Sequence, residues 1–249
     1  MKFSLLAALG IVSAVQAHME MTFPPPFRSK YNQYTTDIDY SMTSPLEASG
    51  ANFPCKGYHS LYDTPQGRAV ATWSPGQTVN FTLTGSATHN GGSCQASFSY
   101  DRGKTWTVVH SYIGQCPLKS TWSLTLPNDT PAGDALFAWS WFNNLGNREM
   151  YMNCAHVVIK GGVTNEARAP AETLPGNNGN AGQTVPRSPS DPYRSRPAMF
   201  VANVGNGCGT VETYDLDFPQ PGPDVDRASK KTQPPTGTCA KKRSVLYRA

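Results

Sequence analysis

Gln95-Ala96-Ser97-Phe98-Ser99-Tyr100, then Asp101-Arg102-Gly103-Lys104, then Thr105-Trp106-Thr107-Val108-Val109-His110-Ser111-Tyr112 is the stretch on which the fold turns. Ala96, Phe98 and Tyr100 alternate with polar neighbours, the period of a strand with one buried face. Asp101 to Lys104 supplies a turn, and Trp106, Val108 and Tyr112 resume the alternation on the return, so the segment predicts a β-hairpin. The pattern extends outward on both sides. Val79, Phe81 and Leu83 alternate before the hairpin. After it, Pro127 and Pro131-Ala132-Gly133 separate a strand around Leu124 from a richer one, Leu136 to Phe142, and a last strand runs from Tyr151 to Ile159. From Ala69 to Ile159 helical periodicity is almost absent, and short strands at this spacing predict an all-β chain folded as a β-sandwich.

The chain has 249 residues, room for one sizeable domain with something appended. Only 15% of residues are charged, and 21 basic against 17 acidic residues leave a formal net charge of +4 with no sustained basic stripe. A nucleic-acid partner is therefore excluded. Lys2 precedes an apolar run from Phe3 to Val15, and Val15-Gln16-Ala17 presents small residues at the two positions a signal peptidase reads. Gln16, His18 and Glu20 end the run short of the roughly 20 residues of a membrane span, so a secreted, extracellular chain with no membrane partner is expected, residues 1–17 being its signal peptide. Six cysteines in an exported chain favour three disulfides, although six allow 15 pairings. None lies in a CxxC pair, which argues against a zinc ribbon. Asn80 and Asn128 begin glycosylation sequons. The organisation expected is a sandwich domain over 18–162, a Pro/Gly-rich linker over 163–197 and a small loop-rich extension over 198–249.

The informative residue is the first mature one. A histidine at a free N-terminus offers its α-amine and its ring Nδ1 to one metal ion, and an α-amine pKa near 7.7–8.0 lets a metal displace the proton at neutral pH. A second imidazole completes three nitrogen donors, a set that suits copper. His110 and His156 fall in strand patterns and His59 in a loop, where a satisfied polar role is the ordinary reading. His89 differs. It sits in Gly85-Ser86-Ala87-Thr88-His89-Asn90-Gly91-Gly92-Ser93-Cys94, a small-residue loop between strands beside a cysteine able to pin it.

His18-Met19-Glu20-Met21 with Pro24-Pro25-Pro26, then Phe53-Pro54-Cys55-Lys56, then the His89 loop, then Trp139-Ser140-Trp141-Phe142-Asn143 and Gly146-Asn147-Arg148-Glu149-Met150-Tyr151-Met152-Asn153-Cys154 together resemble the chitin-active lytic polysaccharide monooxygenases of auxiliary activity family eleven. The resemblance runs from His18 to about Gly162. It implies an immunoglobulin/fibronectin-III-like β-sandwich with long loops, and one copper ion held by the amine and Nδ1 of His18, a ring nitrogen of His89 and Tyr151 in an axial position. Glu149, two residues before Tyr151 and on the same strand face, is implied as an outer partner, against the plainer reading of a surface pair with Arg148 or a lysine. Ala87 is expected near the open metal face, against a plain tight loop. Trp139, Trp141 and Phe142 read as core. The resemblance also implies disulfides Cys55–Cys154 and Cys94–Cys116, leaving Cys208 with Cys239.

The activity so implied is oxidative cleavage of glycosidic bonds in chitin or a related insoluble polysaccharide, with oxidation at C1, using an external electron donor and peroxide or dioxygen. A monomer is expected. Two rivals stand beside it: a non-catalytic secreted copper carrier, and a carbohydrate-binding cell-surface protein in which His18 is coincidental. A hydrolase is disfavoured, since the chain has no Gly-x-Ser-x-Gly elbow.

Overall fold

The computed structural model describes residues 19–161 and 192–239. The expected signal peptide, His18, positions 162–191 of the expected domain end and linker, and residues 240–249 lie outside them. The body is built from β1 (Met19–Phe23), β2 (Ala71–Trp73), β3 (Thr78–Gly85), β4 (Gly92–Ser99), β5 (Thr107–Ile113), β6 (Thr121–Thr125), β7 (Gly133–Asn143) and β8 (Met150–Ile159). The C-terminal part adds β9 (Cys208–Gly209), β10 (Asp215–Leu216), β11 (Val225–Arg227), β12 (Thr232–Gln233) and β13 (Thr236–Gly237). A three-stranded sheet, β1-β3-β6, faces a six-stranded one, β11-β5-β4-β7-β8-β2, and the chain is a β-sandwich. Among the described residues no helix is long and apolar enough to cross a membrane.

The expected hairpin is present, β4 against β5, with Ala96 opposite His110 and a register shift between Ala96 and Ser97. In β3 the alternation has its expected consequence: Val79, Phe81 and Leu83 are buried while Thr78, Asn80 and Thr84 are exposed. These three join Phe98, Phe137, Trp139 and Trp141 in the core between the sheets. Full burial of one such side chain stabilises by about 1.5–3 kcal/mol, so this layer dominates the stability of the sandwich.

β4 departs from alternation, because every residue from Gly92 to Ser99 is buried. Two of its polar side chains, Ser93 and Gln95, meet the C-terminal segment instead of water. Ser93 Oγ donates to the Leu216 carbonyl (2.7 Å), Gln95 Oε1 accepts the Phe200 N–H (2.9 Å), and on β5 Ser111 Oγ donates to the Pro221 carbonyl (2.7 Å). Phe142 meets Phe200 and Phe218 at centroid distances of 5.4 and 6.0 Å, in a second core that also takes Met150, Met152 and Leu216. The six-stranded sheet is thus covered on both faces, and β11 extends it by pairing parallel to β5.

Tyr193 and Arg196, at the end of the stretch expected as linker, are buried. The Tyr193 N–H donates to Asp129 (2.8 Å), while Arg196 pairs with Asp224 and donates to the Val109 carbonyl (2.8 Å). Three disulfides close the framework: Cys55–Cys154, Cys94–Cys116 and Cys208–Cys239. They tie the long β1–β2 connection to β8, β4 to the turn after β5, and the C-terminal segment to itself.

Candidate metal centre

Three segments meet at one end of the sandwich. β1 opens at Met19 opposite Gly85, the last residue of β3, from which the His89 loop springs. That loop re-enters the sheet at Gly92 opposite Asn143, where β7 ends, and Phe142 lies opposite Met150, where β8 begins. The start of β1, the 86–91 loop and the 144–149 loop are therefore neighbours.

His89 and Asn90 have φ of +48° and +59°, followed by Gly91 at +81°. Asparagine and glycine take the left-handed region readily, whereas a histidine there is uncommon and is held by its surroundings. The clamps are visible. The Gly91 N–H donates to the Thr88 carbonyl (2.8 Å), the Leu145 N–H to the His89 carbonyl (3.1 Å) and the Asn144 N–H to the Gly91 carbonyl (2.9 Å). Trp141 Nε1 also donates to the Gly91 carbonyl (3.3 Å), and Asn90 Nδ2 to Asn144 Oδ1 (3.2 Å).

Trp141 connects the residues singled out above. Its ring is 6.0 Å from the His89 ring and 4.4 Å from the Tyr151 ring, which faces it across the β7–β8 pairing. The Tyr151 hydroxyl donates to Glu149 Oε2 at 2.7 Å. Burial, reinforced by that hydrogen bond and the Glu149 charge, pushes the Tyr151 phenol far above its ordinary value, so it is a protonated donor at neutral pH. Glu149 does not hydrogen-bond to its neighbour Arg148. The Arg148 guanidinium turns inward to the carbonyls of Asn143 (2.8 Å) and Gly146 (2.7 Å), and burial lowers its pKa.

Gly146 leaves room for the imidazole. A Cβ there would stand 3.2 Å from His89 Nδ1 and 3.3 Å from Cε1, and the φ of +95° itself disfavours any other residue. Ala87 is half-buried and packs on the inter-sheet core. Trp139, Trp141 and Phe142 are buried. The other histidines are engaged elsewhere: His59 Nδ1 with the Pro54 carbonyl (3.2 Å), His156 between the Gly67 carbonyl (2.6 Å) and Asp134 (2.9 Å), and His110 against the Tyr112 ring (4.4 Å) and Asp226 (3.5 Å).

Sequence reasoning counted Trp141 only as core, gave Gly146 no role of its own, took Arg148 only as a surface partner for Glu149 and passed over Asn144. The one available signal is the Asn143-Asn144-Leu145-Gly146-Asn147-Arg148 run, a loop composition with a single glycine at its tightest point. Among the described residues no three His, Cys, Asp or Glu side chains gather as a metal cage. What this end presents instead is one imidazole and one phenol against a tryptophan, with a carboxylate on the phenol, beside the start of β1. Imidazole and phenol are both donors to copper, and the gap kept by Gly146 suits a ring nitrogen with an external partner.

No family model matches the chain. Curated relatives do. The chain is 49% identical over 214 residues to AA11 family lytic polysaccharide monooxygenase A of Aspergillus fumigatus, an alignment that covers 84% of this chain and 86% of that protein. It is 36% identical over 249 residues to an AA11 family lytic polysaccharide monooxygenase of Aspergillus oryzae, covering 93% of this chain and 53% of the relative. Among solved structures, HiLPMO9B aligns with a TM-score of 0.40 at 16% identity, over 63% of this chain and 81% of its own. On the strength of the first relative, aligned over most of both proteins, the chain belongs to the AA11 family of lytic polysaccharide monooxygenases, a family of oxidoreductases.

Proposed function

We propose that the protein is a secreted copper-dependent monooxygenase that cleaves chitin oxidatively at C1, working as a monomer with an external electron donor and peroxide or dioxygen as co-substrate. The α-amine and Nδ1 of His18, a ring nitrogen of His89 and Tyr151 would hold the copper. The observation that carries this reading is the bracket made by Trp141, 6.0 Å from His89 and 4.4 Å from Tyr151, at the end of the sandwich where β1 begins. Family membership supports the reaction class, and the 2.7 Å Tyr151–Glu149 contact supports a carboxylate that acts beside the metal.

Copper, when bound, supplies the redox chemistry that activates the co-substrate. The chain's own contributions are separable from it. His89 is held in a strained turn by five backbone and side-chain donors. The Tyr151 phenol keeps its proton and hydrogen-bonds to Glu149 Oε2, which fixes one carboxylate oxygen and leaves the other to accept from water or a protonated co-substrate. Leu145 (48% exposed), next to that loop, and Tyr40 (85%), three residues before Thr43 whose carbonyl takes the Met19 N–H, supply apolar faces to a sugar surface.

The test loads the processed protein with copper, adds insoluble chitin and a reductant, and examines soluble products by mass spectrometry. C1-oxidised chito-oligosaccharides are expected. Intact copper binding without oxidised products favours the carrier instead. A variant retaining one residue before His18, which removes the free amine from the chelate, and His89→Ala are both expected to be inactive and to bind copper weakly.

A further inference from the structure

The C-terminal segment does more than cover the sheet. Exposed Glu212 accepts the Gly146 N–H on Oε1 (2.9 Å), the Thr213 N–H donates to the Asn144 carbonyl (2.7 Å), and Asn144 Nδ2 donates to Asp215 Oδ1 (2.9 Å). Farther along the same loop, Asn203 Nδ2 donates to the Glu149 carbonyl (3.0 Å) and to Thr210 Oγ1 (3.0 Å). One segment, 203–215, therefore grips the 144–149 loop at Asn144, Gly146 and Glu149. From that loop the bonds continue inward: Leu145 N–H to the His89 carbonyl and Asn144 N–H to the Gly91 carbonyl. Gly146 also sets the clearance to the His89 ring.

We propose that segment 203–215 is a positioning element of the metal centre, with Glu212 as its principal positioning residue for His89. The inference rests on the copper reading above. A loop of six residues with two asparagines and a glycine has many conformations, and three external grips on it select the one in which Gly146 lies against the imidazole and the Leu145 N–H holds the His89 carbonyl. Glu212 fills this role because its side chain supplies the acceptor for the Gly146 N–H, the backbone donor of the residue that lies against the His89 ring. It has no part in the core, so its removal does not threaten folding.

The experiment compares wild type, Glu212→Ala and Glu212→Gln as full-length processed protein. Three quantities are read: exchange of the Gly146 and Leu145 amides without metal, copper(II) affinity by calorimetry, and the copper(II) electron paramagnetic resonance spectrum. In Glu212→Ala the amides are expected to exchange faster. The copper dissociation constant should rise roughly tenfold, the lower end for outer partners of metal ligands. The hyperfine pattern should shift while the metal-free melting temperature holds. Glu212→Gln retains an acceptor oxygen and should restore most of each value, which a purely structural or long-range charge role does not predict. If wild type binds copper and Glu212→Ala matches it in affinity and spectrum, or if Gln behaves as Ala, the positioning role is overturned and the copper reading stands. If wild type binds no copper, both are overturned.

Discussion

At the level of single residues, the centre is arranged by what is left out as much as by what is present. Gly146→Ala places a methyl 3.2 Å from His89 Nδ1 on a backbone with φ +95°. The imidazole must turn or the loop must yield. We expect about 1 kcal/mol of lost stability from the backbone conformation, together with a copper dissociation constant raised roughly tenfold. Denaturant titration and calorimetry check the two separately, and unchanged copper affinity would show that the gap is idle. Tyr151→Phe asks a different question. The ring and its packing on Trp141 remain, but Glu149 loses its donor. Turnover on chitin should fall roughly tenfold or more while copper affinity changes much less, because the nitrogen donors are untouched. An equal loss of copper affinity would make Tyr151 a principal ligand instead.

At the level of elements, strand identity was legible where a residue's two faces meet different media. β3, with Val79, Phe81 and Leu83 inward and threonines and asparagine outward, follows directly from alternation. The polar residues of β4 carry the same pattern with a different meaning, since Ser93 donates to a backbone carbonyl of the C-terminal segment and Gln95 accepts a backbone N–H from it, and neither faces solvent. A period of two distinguishes polar from apolar positions, not water from a polar cover. For the same reason β11, only Val225-Asp226-Arg227, has no readable period and is defined by its partner β5. His89 was legible from its loop, whereas its bracket with Tyr151 was not, because Trp141 is at once a core residue and the wall of the site. The connections between elements also carry stability. Cys55–Cys154 joins residues 99 apart, against 31 for Cys208–Cys239 and 22 for Cys94–Cys116. On chain entropy the first contributes about 4.7 kcal/mol and the others about 3.7 and 3.4 kcal/mol. Replacing Cys55 and Cys154 with alanine should therefore lower the unfolding free energy most of the three pairs. A smaller loss than for Cys94 and Cys116 would mean that the long β1–β2 connection is held by its packing alone.

At the level of the whole molecule, packing the two sheets face to face has a cost that appears at high pH. Tyr112 and Tyr151 belong to the inter-sheet core, Tyr193 closes on it from the C-terminal part, and Tyr100 packs against Tyr193 at 6.0 Å. Burial raises all four phenols above their ordinary value. In the unfolded chain the same groups lose their protons near pH 10. Above that pH the unfolded state binds fewer protons than the folded state, so the stability these groups confer, complete below about pH 10, declines as pH rises toward their folded values. Each phenol that stays protonated contributes a slope of up to about 1.4 kcal/mol per pH unit. Denaturant unfolding at steps above pH 9 should show a free energy that falls with increasing slope. Ultraviolet difference spectra should show these phenols ionising only as the chain unfolds. A free energy flat through pH 11, or full tyrosine ionisation in the folded protein, would mean that water reaches the phenols and that the packing between the two sheets opens in the native state.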